Sequence, residues 1–299
     1  MSWDSPRHLN TRLAVGLLLT AVLLPVAIQA THYFQVNRSA RGMLFRAQKA
    51  LADGKTQEAI RCFKYYVHYQ PDDVAVFSQL ALLNADQVQA AGSSPLELGQ
   101  SYAMLEQAVI REPDNLQLVR RMAEMSFQVG RLGAAAGYLN RLVGLFPDDV
   151  GLQLKFARSL LSIGDFRRAA EILEMVVAKT PQDVLAFVDL AGVLRNRLSR
   201  PEEANQVVER MVAANPESGR AYLERGRYRW NAGAKELAVD DFARAVTLAP
   251  DDLDVLITVS EFHMVQNQLD QAEQLLQRAR ELKPQDRRVE RAWVALKNG

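Results

Sequence analysis

The segment that decides the fold is Val150–Asp183, VGLQLKFARSLLSIGDFRRAAEILEMVVAKTPQD. It contains two apolar helical patterns, which are separated at Gly164 and closed by Pro181. A proline cannot continue the helix that it follows, and an aspartate two residues later is a good N-cap for another helix. The segment therefore predicts a pair of helices, a stop, and the start of the next pair.

The same stop and start signals recur along the chain with a nearly constant period. Seven prolines stand 42, 34, 34, 35, 34 and 34 residues apart, and a capping residue follows each proline by two positions. The prolines are Pro71, Pro113, Pro147, Pro181, Pro216, Pro250 and Pro284, and the capping residues are Asp73, Asn115, Asp149, Asp183, Ser218, Asp252 and Asp286. From residue 40 onward, the sequence predicts repeated helix pairs.

Two columns of small residues align when each repeat is numbered so that its proline takes place 32. Place 8 holds Ala47, Ala81, Ala123, Ala157, Ala191, Gly226 and Ser260, and place 20 holds Ala59, Ser101, Ala135, Ala169, Ala204, Ala238 and Ala272. Small side chains let the two helices of a repeat approach closely. Large apolar residues at place 24 give each second helix a buried stripe: Phe63, Leu105, Leu139, Leu173, Val208, Phe242 and Leu276.

These columns resemble the tetratricopeptide repeat family over residues 40–286. The resemblance implies an all-α fold, a right-handed α-solenoid of seven helix pairs that binds other proteins in its concave groove. The predicted repeats are residues 40–73, 74–115, 116–149, 150–183, 184–218, 219–252 and 253–286. We expect residues 287–299 to form a capping helix, because the last repeat otherwise exposes its stacking face.

The N-terminus predicts a membrane anchor. Arg12 and Arg38 bracket 25 residues without a charge, and the run from Leu13 to Ala30 is almost wholly apolar, which is long enough to span a bilayer as a helix. We interpret residues 1–12 as a flank, 13–35 as a single transmembrane helix and 36–39 as a linker, with the repeats on the outer side of the membrane. The alternative is a signal peptide cleaved after Ala30, which would release an exported soluble accessory subunit of an envelope enzyme or assembly complex.

Composition argues against several functional classes. The formal net charge of +1 gives no global field for nucleic acid. One cysteine, Cys62, and four scattered histidines predict no metal site, and we expect no cofactor and no enzymatic activity. Gly54-Lys-Thr ends like a phosphate-binding loop, but place 15 also holds Gly130, Gly164, Gly233 and Asn267, so we predict a helix-ending turn there and no nucleotide.

The concave groove is expected to be lined by places 2, 5, 9 and 12 of the first helices. The candidate binding residues, in a mixture of apolar side chains and arginines, are Arg120, Glu124, Phe127, Leu154, Arg158, Leu161, Val188, Arg195, Leu223, Arg227, Trp230, Ile257 and Glu261. Apolar side chains accept an extended peptide or a helix, and arginines bind carboxylates, which together favour an acidic, amphipathic protein segment. Packing between repeats is the alternative role of the apolar candidates Leu154, Leu161, Val188, Ile257 and Trp230. Pairing with acids on neighbouring helices is the alternative role of Arg158, Arg195 and Arg227.

Three local features complete the predictions. Arg225 and Arg229, one helical turn apart, predict a salt-bridge network with Asp240 or Asp241, with an anion site as the alternative. Ser94 with Glu97, and Ser199 with Glu202, have the spacing of capping boxes at two lengthened turns. Catalysis by Glu261 and His263 is disfavoured, because neighbours in sequence point to different faces of a helix.

Overall fold

The computed structural model describes residues 11–90 and 93–298, and this part of the chain contains fifteen helices and no strand. The chain divides into two compact units, residues 1–131 and residues 132–299. The first unit contains α1 Thr11–Ala52, α2 Thr56–Tyr69, α3 Val74–Ala90, α4 Pro95–Arg111 and α5 Leu116–Gln128. The second unit contains α6 Leu132–Leu145, α7 Val150–Ile163, α8 Phe166–Lys179, α9 Val184–Asn196, α10 Pro201–Ala214, α11 Gly219–Asn231, α12 Lys235–Leu248, α13 Leu253–Val265, α14 Leu269–Leu282 and α15 Arg287–Asn298.

Consecutive helices pack as antiparallel neighbours within each unit. In the first unit α1 packs on α2 and α3 packs on α4, and in the second unit the corresponding pairs run from α7 with α8 to α13 with α14. The small residues predicted at places 8 and 20 are all buried, as are the large apolar residues at place 24. Close helix approach at small residues therefore organises the core of each repeat, as the sequence predicted.

The predicted caps are confirmed at all seven positions. Asn115, Asp149, Asp183, Ser218 and Asp252 each accept a hydrogen bond from a backbone N–H in the first turn of the helix that follows. Asp73 accepts from Val76 N–H and Asp286 accepts from Arg288 N–H. The turn at place 15 is also as predicted, because Gly54 has a φ of 73° and Asn267 a φ of 59°. Gly54 thus ends α1 and belongs to no phosphate-binding loop.

The structure accounts for a polar residue inside one repeat and for the two lengthened turns. Gln153 takes the place usually held by a large apolar residue, and its Nε2 donates to the carbonyl of Pro147 at 2.6 Å. Ser94 and Glu97 form the predicted capping box at the start of α4. The second predicted capping box is wrong: Arg200, not Ser199, is the N-cap residue of α10, and Ser199 has a φ of 56°. Ser199 adopts the left-handed conformation that the extra residue of this turn requires.

The N-terminal helix differs from its predicted organisation. Residues 36–39, expected to form a linker, are helical and lie inside α1, which runs unbroken from Thr11 to Ala52. The expected transmembrane segment, residues 13–35, includes residues whose side chains lie outside the described part of the chain. Within the part that is described, we find no helix with both the length and the apolar character needed to cross a bilayer.

Candidate protein-binding groove

A cavity in the second unit gathers the first helices of successive repeats. It has a volume of about 490 Å³ and lies among α11, α13 and α15. Its apolar lining includes Leu223 and Ile257, which are both buried, together with the half-buried Met264. We call this cavity the C-terminal groove. Its lining residues are Arg220, Leu223, Glu224, Arg227, Asp252, Asp254, Val255, Ile257, Thr258, Glu261, Met264, Arg288, Arg291, Ala292 and Ala295.

Four of the candidate binding residues meet in the C-terminal groove. Leu223 and Arg227 come from α11, and Ile257 and Glu261 come from α13. Each pair occupies places 5 and 9 of its repeat, so the helical periodicity of the sequence predicts that the two residues of a pair share one face of their helix. Their role in binding stays a prediction.

The sequence analysis missed the third wall, which α15 provides. Arg288, Arg291 and Ala295 line the groove from this helix. They occupy places 2, 5 and 9 when the repeat numbering is continued past Asp286, so extending the same register by one helix identifies them. The sequence prediction for α15 was a cap alone, without a part in the groove.

Salt bridges occupy most of the arginines in the groove. Arg227 lies 3.5 Å from Glu224 on its own helix, and Arg220 lies 3.7 Å from the same carboxylate. Arg288 bonds to Asp254 at 2.5 Å and to Asp286 at 3.1 Å. The hydrogen bonds that Arg288 donates to Asp286 and Asp254 hold the pKa of its guanidinium above the ordinary value, so this side chain stays charged.

The lining as a whole carries balanced charge. Four arginines, Arg220, Arg227, Arg288 and Arg291, face four carboxylates, Glu224, Asp252, Asp254 and Glu261. The expectation of an acidic partner rested on the arginines alone. Because acids of the same groove already neutralise most of them, the lining gives no general preference for an acidic segment.

Trp230 lies beside the groove and packs between repeats. Its ring meets the ring of Phe262 edge to face at a centroid distance of 4.9 Å, and the amine of Lys235 lies 5.0 Å from its centroid. Trp230 is half-buried and belongs to the core cluster formed by α11, α12 and α13. These contacts show the packing role that we considered, and its use as a binding anchor stays a prediction.

The remaining candidates of the second unit lie on α7 and α9, away from the groove lining. Nε of Arg158 donates to Asp189 at 3.1 Å, which is the inter-repeat pairing that we considered. Arg195 has a different partner, because Nη1 donates to the hydroxyl of Tyr228 at 3.2 Å. Leu154, Leu161 and Val188 are half-buried on the same two helices.

Three candidates belong to the first unit. Arg120 and Glu124 are exposed on α5, and Phe127 is half-buried on the same helix. The repeat register predicts that they share the concave surface, and this stays a prediction.

The two residues considered for catalysis do not line the same surface. Glu261 lines the groove, whereas His263 is absent from the lining and its Nδ1 lies 2.7 Å from Oε1 of Gln268. No group of three or more histidine, cysteine, aspartate or glutamate side chains in the described part of the chain could hold a metal ion. The described lining of the groove consists mostly of apolar side chains and paired charges.

Family models agree with the repeat geometry. Two models, each described as a tetratricopeptide repeat, match the chain, one at residues 126–191 and 231–294 and the other at residues 197–252. Together these matches cover more than half of the chain. The chain belongs to the tetratricopeptide repeat family. Repeats of this family imply a scaffold for protein–protein interaction.

The chain is similar to several solved structures at low sequence identity, and the first of those below supports the fold. A tetratricopeptide repeat protein from Parabacteroides merdae ATCC 43184 is 13% identical, with 88% of this chain and 100% of that chain covered and a TM-score of 0.52. A thermophilic tetratricopeptide repeat protein from Thermus thermophilus is 22% identical, with 62% and 100% covered and a TM-score of 0.46. MamA from Desulfovibrio magneticus RS-1 is 22% identical, with 58% and 98% covered and a TM-score of 0.44. None of the curated proteins compared with the chain matches it.

Proposed function

We propose that this protein is a membrane-attached scaffold that binds a segment of another protein in the C-terminal groove. The observation that carries the proposal is the convergence of three successive first helices on one cavity with an apolar floor and charged walls. The lining combines apolar side chains with paired charges, and this combination suits the recognition of a protein segment.

The partner segment is best described by the charges that the groove leaves available. Glu261 is exposed on one wall and has no ion pair within the described part of the chain. Arg291 is exposed on another wall, and within the described part of the chain its Nε donates only to the carbonyl of Arg287 one turn earlier. The groove would bind a segment that places an apolar side chain on the floor. The same segment would pair a basic group with Glu261 and an acidic group with Arg291.

Membrane attachment is supported by the sequence of α1. Counted on the sequence, and including residues whose side chains lie outside the described part of the chain, the uncharged stretch between Arg12 and Arg38 exceeds the roughly 20 residues that a bilayer requires. Leu23, Leu24, Val26 and Ile28 are each at least 60% exposed, and nothing else in the described chain covers them. We place the repeats on the outer side of the membrane, and the alternative of an exported soluble subunit makes a different prediction for the mass of the mature chain.

The groove is tested by selecting ligands with the full-length protein from a phage-displayed library of random peptides. The affinity of the selected peptides is then measured on Glu261→Arg and Arg291→Glu. We expect each variant to lose about tenfold in affinity, which is the order of one charge-assisted contact. Asp240→Arg makes a matched change at an exposed aspartate of α12, outside the groove lining, and should leave affinity within about twofold. Equal binding by all three variants would reject the groove as the site.

Attachment is tested separately by the intact mass of the protein recovered from membranes. A chain that retains residues 1–30 in the membrane fraction supports the anchor. A mature chain that begins after Ala30 in the soluble fraction supports the exported form, and it leaves the groove proposal untouched.

A further inference from the structure

The first repeat begins where α1 leaves the body of the protein. Every described side chain from residue 21 to residue 35 is exposed, and Val36 and Asn37 are the first half-buried ones. Tyr33 and Phe34, just before this point, are each 69% exposed. The helix does not break here, so the orientation of the apolar segment is passed directly to the first repeat.

A second helix ends at the same level. Nε2 of Gln70, the residue after α2, donates to Oδ1 of Asn37 at 2.5 Å. Tyr65 and Tyr69, in the last turns of α2, are 49% and 38% exposed. Their rings lie 5.1 Å apart, and Tyr69 donates to the Tyr65 hydroxyl at 3.5 Å. Four exposed aromatic residues of two antiparallel helices thus lie near one end of the first repeat: Tyr33, Phe34, Tyr65 and Tyr69. We call this group the aromatic edge.

Helix dimensions place the aromatic edge near the membrane–water interface. A span of about 20 residues from Leu13 ends at His32, and each further helical residue adds about 1.5 Å. Tyr33 and Phe34 then follow the hydrocarbon boundary directly. Asn37, with the end of α2 bound to it, lies about 7.5 Å beyond the boundary, at the outer surface of a headgroup layer that is about 5–7 Å thick. Tyr69 lies near this level, and Tyr65 lies about one turn of α2 farther from the hydrocarbon.

The charged groups around the aromatic edge are mostly basic. Arg38 and Arg41 are exposed on α1, and Lys64 and His68 are exposed on α2. Two acids follow α2: Asp72 is exposed, whereas Asp73 already accepts hydrogen bonds from the Tyr66 hydroxyl at 2.7 Å and from Val76 N–H at 3.1 Å. Tyrosine rings are favoured at bilayer interfaces, and basic side chains are attracted to lipid phosphates.

We propose that the aromatic edge is a lipid-contact surface, which rests the end of α2 on the headgroups of the membrane that α1 enters. The inference depends on the membrane attachment proposed above. Contact at both α1 and α2 fixes the tilt of α1 in the bilayer, and with it the tilt of the first repeat, whereas a single spanning helix can tilt more freely. A second copy of the chain is the competing occupant, since exposed aromatic residues also suit a protein interface.

Site-directed spin labelling of the full-length chain tests the membrane anchor and the lipid contact of the aromatic edge independently. In a Cys62→Ala background, single cysteines are placed at Leu24 in the apolar segment, at His68 beside the aromatic edge, and at Lys55 before the opposite end of α2. The labelled proteins are reconstituted into vesicles of phosphatidylcholine and phosphatidylglycerol. The accessibility of each nitroxide to oxygen, which prefers lipid, is compared with its accessibility to a water-soluble nickel chelate.

We expect the Leu24 label in the hydrocarbon, the His68 label at headgroup depth and the Lys55 label in water. Adding Tyr65→Ser and Tyr69→Ser should raise nickel accessibility at His68 severalfold and leave Lys55 unchanged. A Leu24 label in the hydrocarbon with His68 fully in water would reject the lipid-contact surface and keep the anchor. A Leu24 label in water would reject the anchor itself, and with it this proposal. Dipolar broadening at His68 that disappears on dilution with unlabelled protein would assign the edge to a second copy instead.

Discussion

The carboxylate of Asp241 accepts a hydrogen bond of 2.7 Å from Nη2 of Arg225, which joins the two helices of one repeat. Arg229 donates to the other oxygen of the same carboxylate at 2.8 Å, and both arginines also bind Glu209 on α10 at 2.6 Å. Burial by itself lowers the pKa of Arg225, but the bonds and charges of Asp241 and Glu209 outweigh it and raise the pKa. The network predicted from the arginine spacing is therefore confirmed, with Asp241 as its centre.

Replacing Asp241 with asparagine should destabilise the second unit strongly. The side chain of Asp241 is 3% exposed, and those of Arg225 and Arg229 are 14% and 17% exposed. Removing the central charge leaves two largely buried guanidinium groups with only Glu209. We expect a loss of about 3 kcal/mol in the free energy of unfolding, measured by urea denaturation.

Two neighbouring acids provide the controls for this prediction. Glu209→Gln removes a carboxylate that is 51% exposed, so we expect a loss of at most about 1 kcal/mol. Asp240→Asn changes the exposed residue next to Asp241 and should have no measurable effect. Equal losses for Asp240→Asn and Asp241→Asn would show that the network contributes nothing beyond general charge.

Gly226 should resist replacement by alanine, because it lies where α11 and α12 approach closely. A Cβ atom at this position would lie 2.7 Å from Cε1 of Phe242 and 3.2 Å from Cβ of Asp241. We expect Gly226→Ala to destabilise the protein by about 1–3 kcal/mol in thermal or urea unfolding. At Gly192, inside α9, the added Cβ meets nothing within 4 Å, so Gly192→Ala should stabilise by up to about 1 kcal/mol. Loss of stability in both variants would contradict the packing explanation.

The period of the repeats could be predicted because several residues at fixed places mark it in every repeat. A proline ends a helix, a capping residue starts one, and two small residues let helices approach, so each acts locally. Because the same set recurs seven times, the prediction does not depend on any single repeat. Ser199 shows the limit of this reasoning. Its spacing to Glu202 fits a capping box, but one extra residue in the turn changes which residue enters α10. Only the backbone path decides that choice.

The two serines that were predicted alike should differ when each is replaced by alanine. The Ser94 hydroxyl accepts from Glu97 N–H, and the Glu97 side chain accepts from Ser94 N–H. Ser94→Ala should therefore cost about 1 kcal/mol in unfolding free energy. Ser199→Ala should change it by less than about 0.5 kcal/mol, since no side chain caps α10. A similar loss in the two variants would restore the second capping box.

The groove was harder to predict than the fold, for a physical reason. The repeat register gives the face on which Arg227 and Glu261 lie, but it does not give their partners. Glu224 belongs to the same helix as Arg227 and neutralises it across one turn. The number of arginines on a helical face therefore does not predict the charge of the groove, because neighbouring carboxylates of the same helix can neutralise them.

Acid should loosen α15 before it unfolds the rest of the second unit. Hydrogen bonds from the Arg288 guanidinium, and then from the Arg288 backbone N–H, lower the pKa of Asp286. A carboxylate whose pKa is lowered by folding stabilises the folded state above the ordinary aspartate pKa of about 3.9, and this stability is lost as pH falls through the lowered value. Protonation would weaken the N-cap of α15 and free Arg288, which also holds Asp254 on the groove wall.

Amide hydrogen exchange between pH 6 and pH 2 tests this order, after correction for the intrinsic pH dependence of exchange. We expect the α15 amides to lose protection against exchange once the pH drops below about 4, while the α9 amides stay protected to lower pH. Asp286→Asn should remove this pH step, because asparagine still caps a helix but cannot be protonated. A step that persists in Asp286→Asn would mean that another carboxylate holds α15, and a simultaneous loss at α9 would mean that the unit unfolds as a whole.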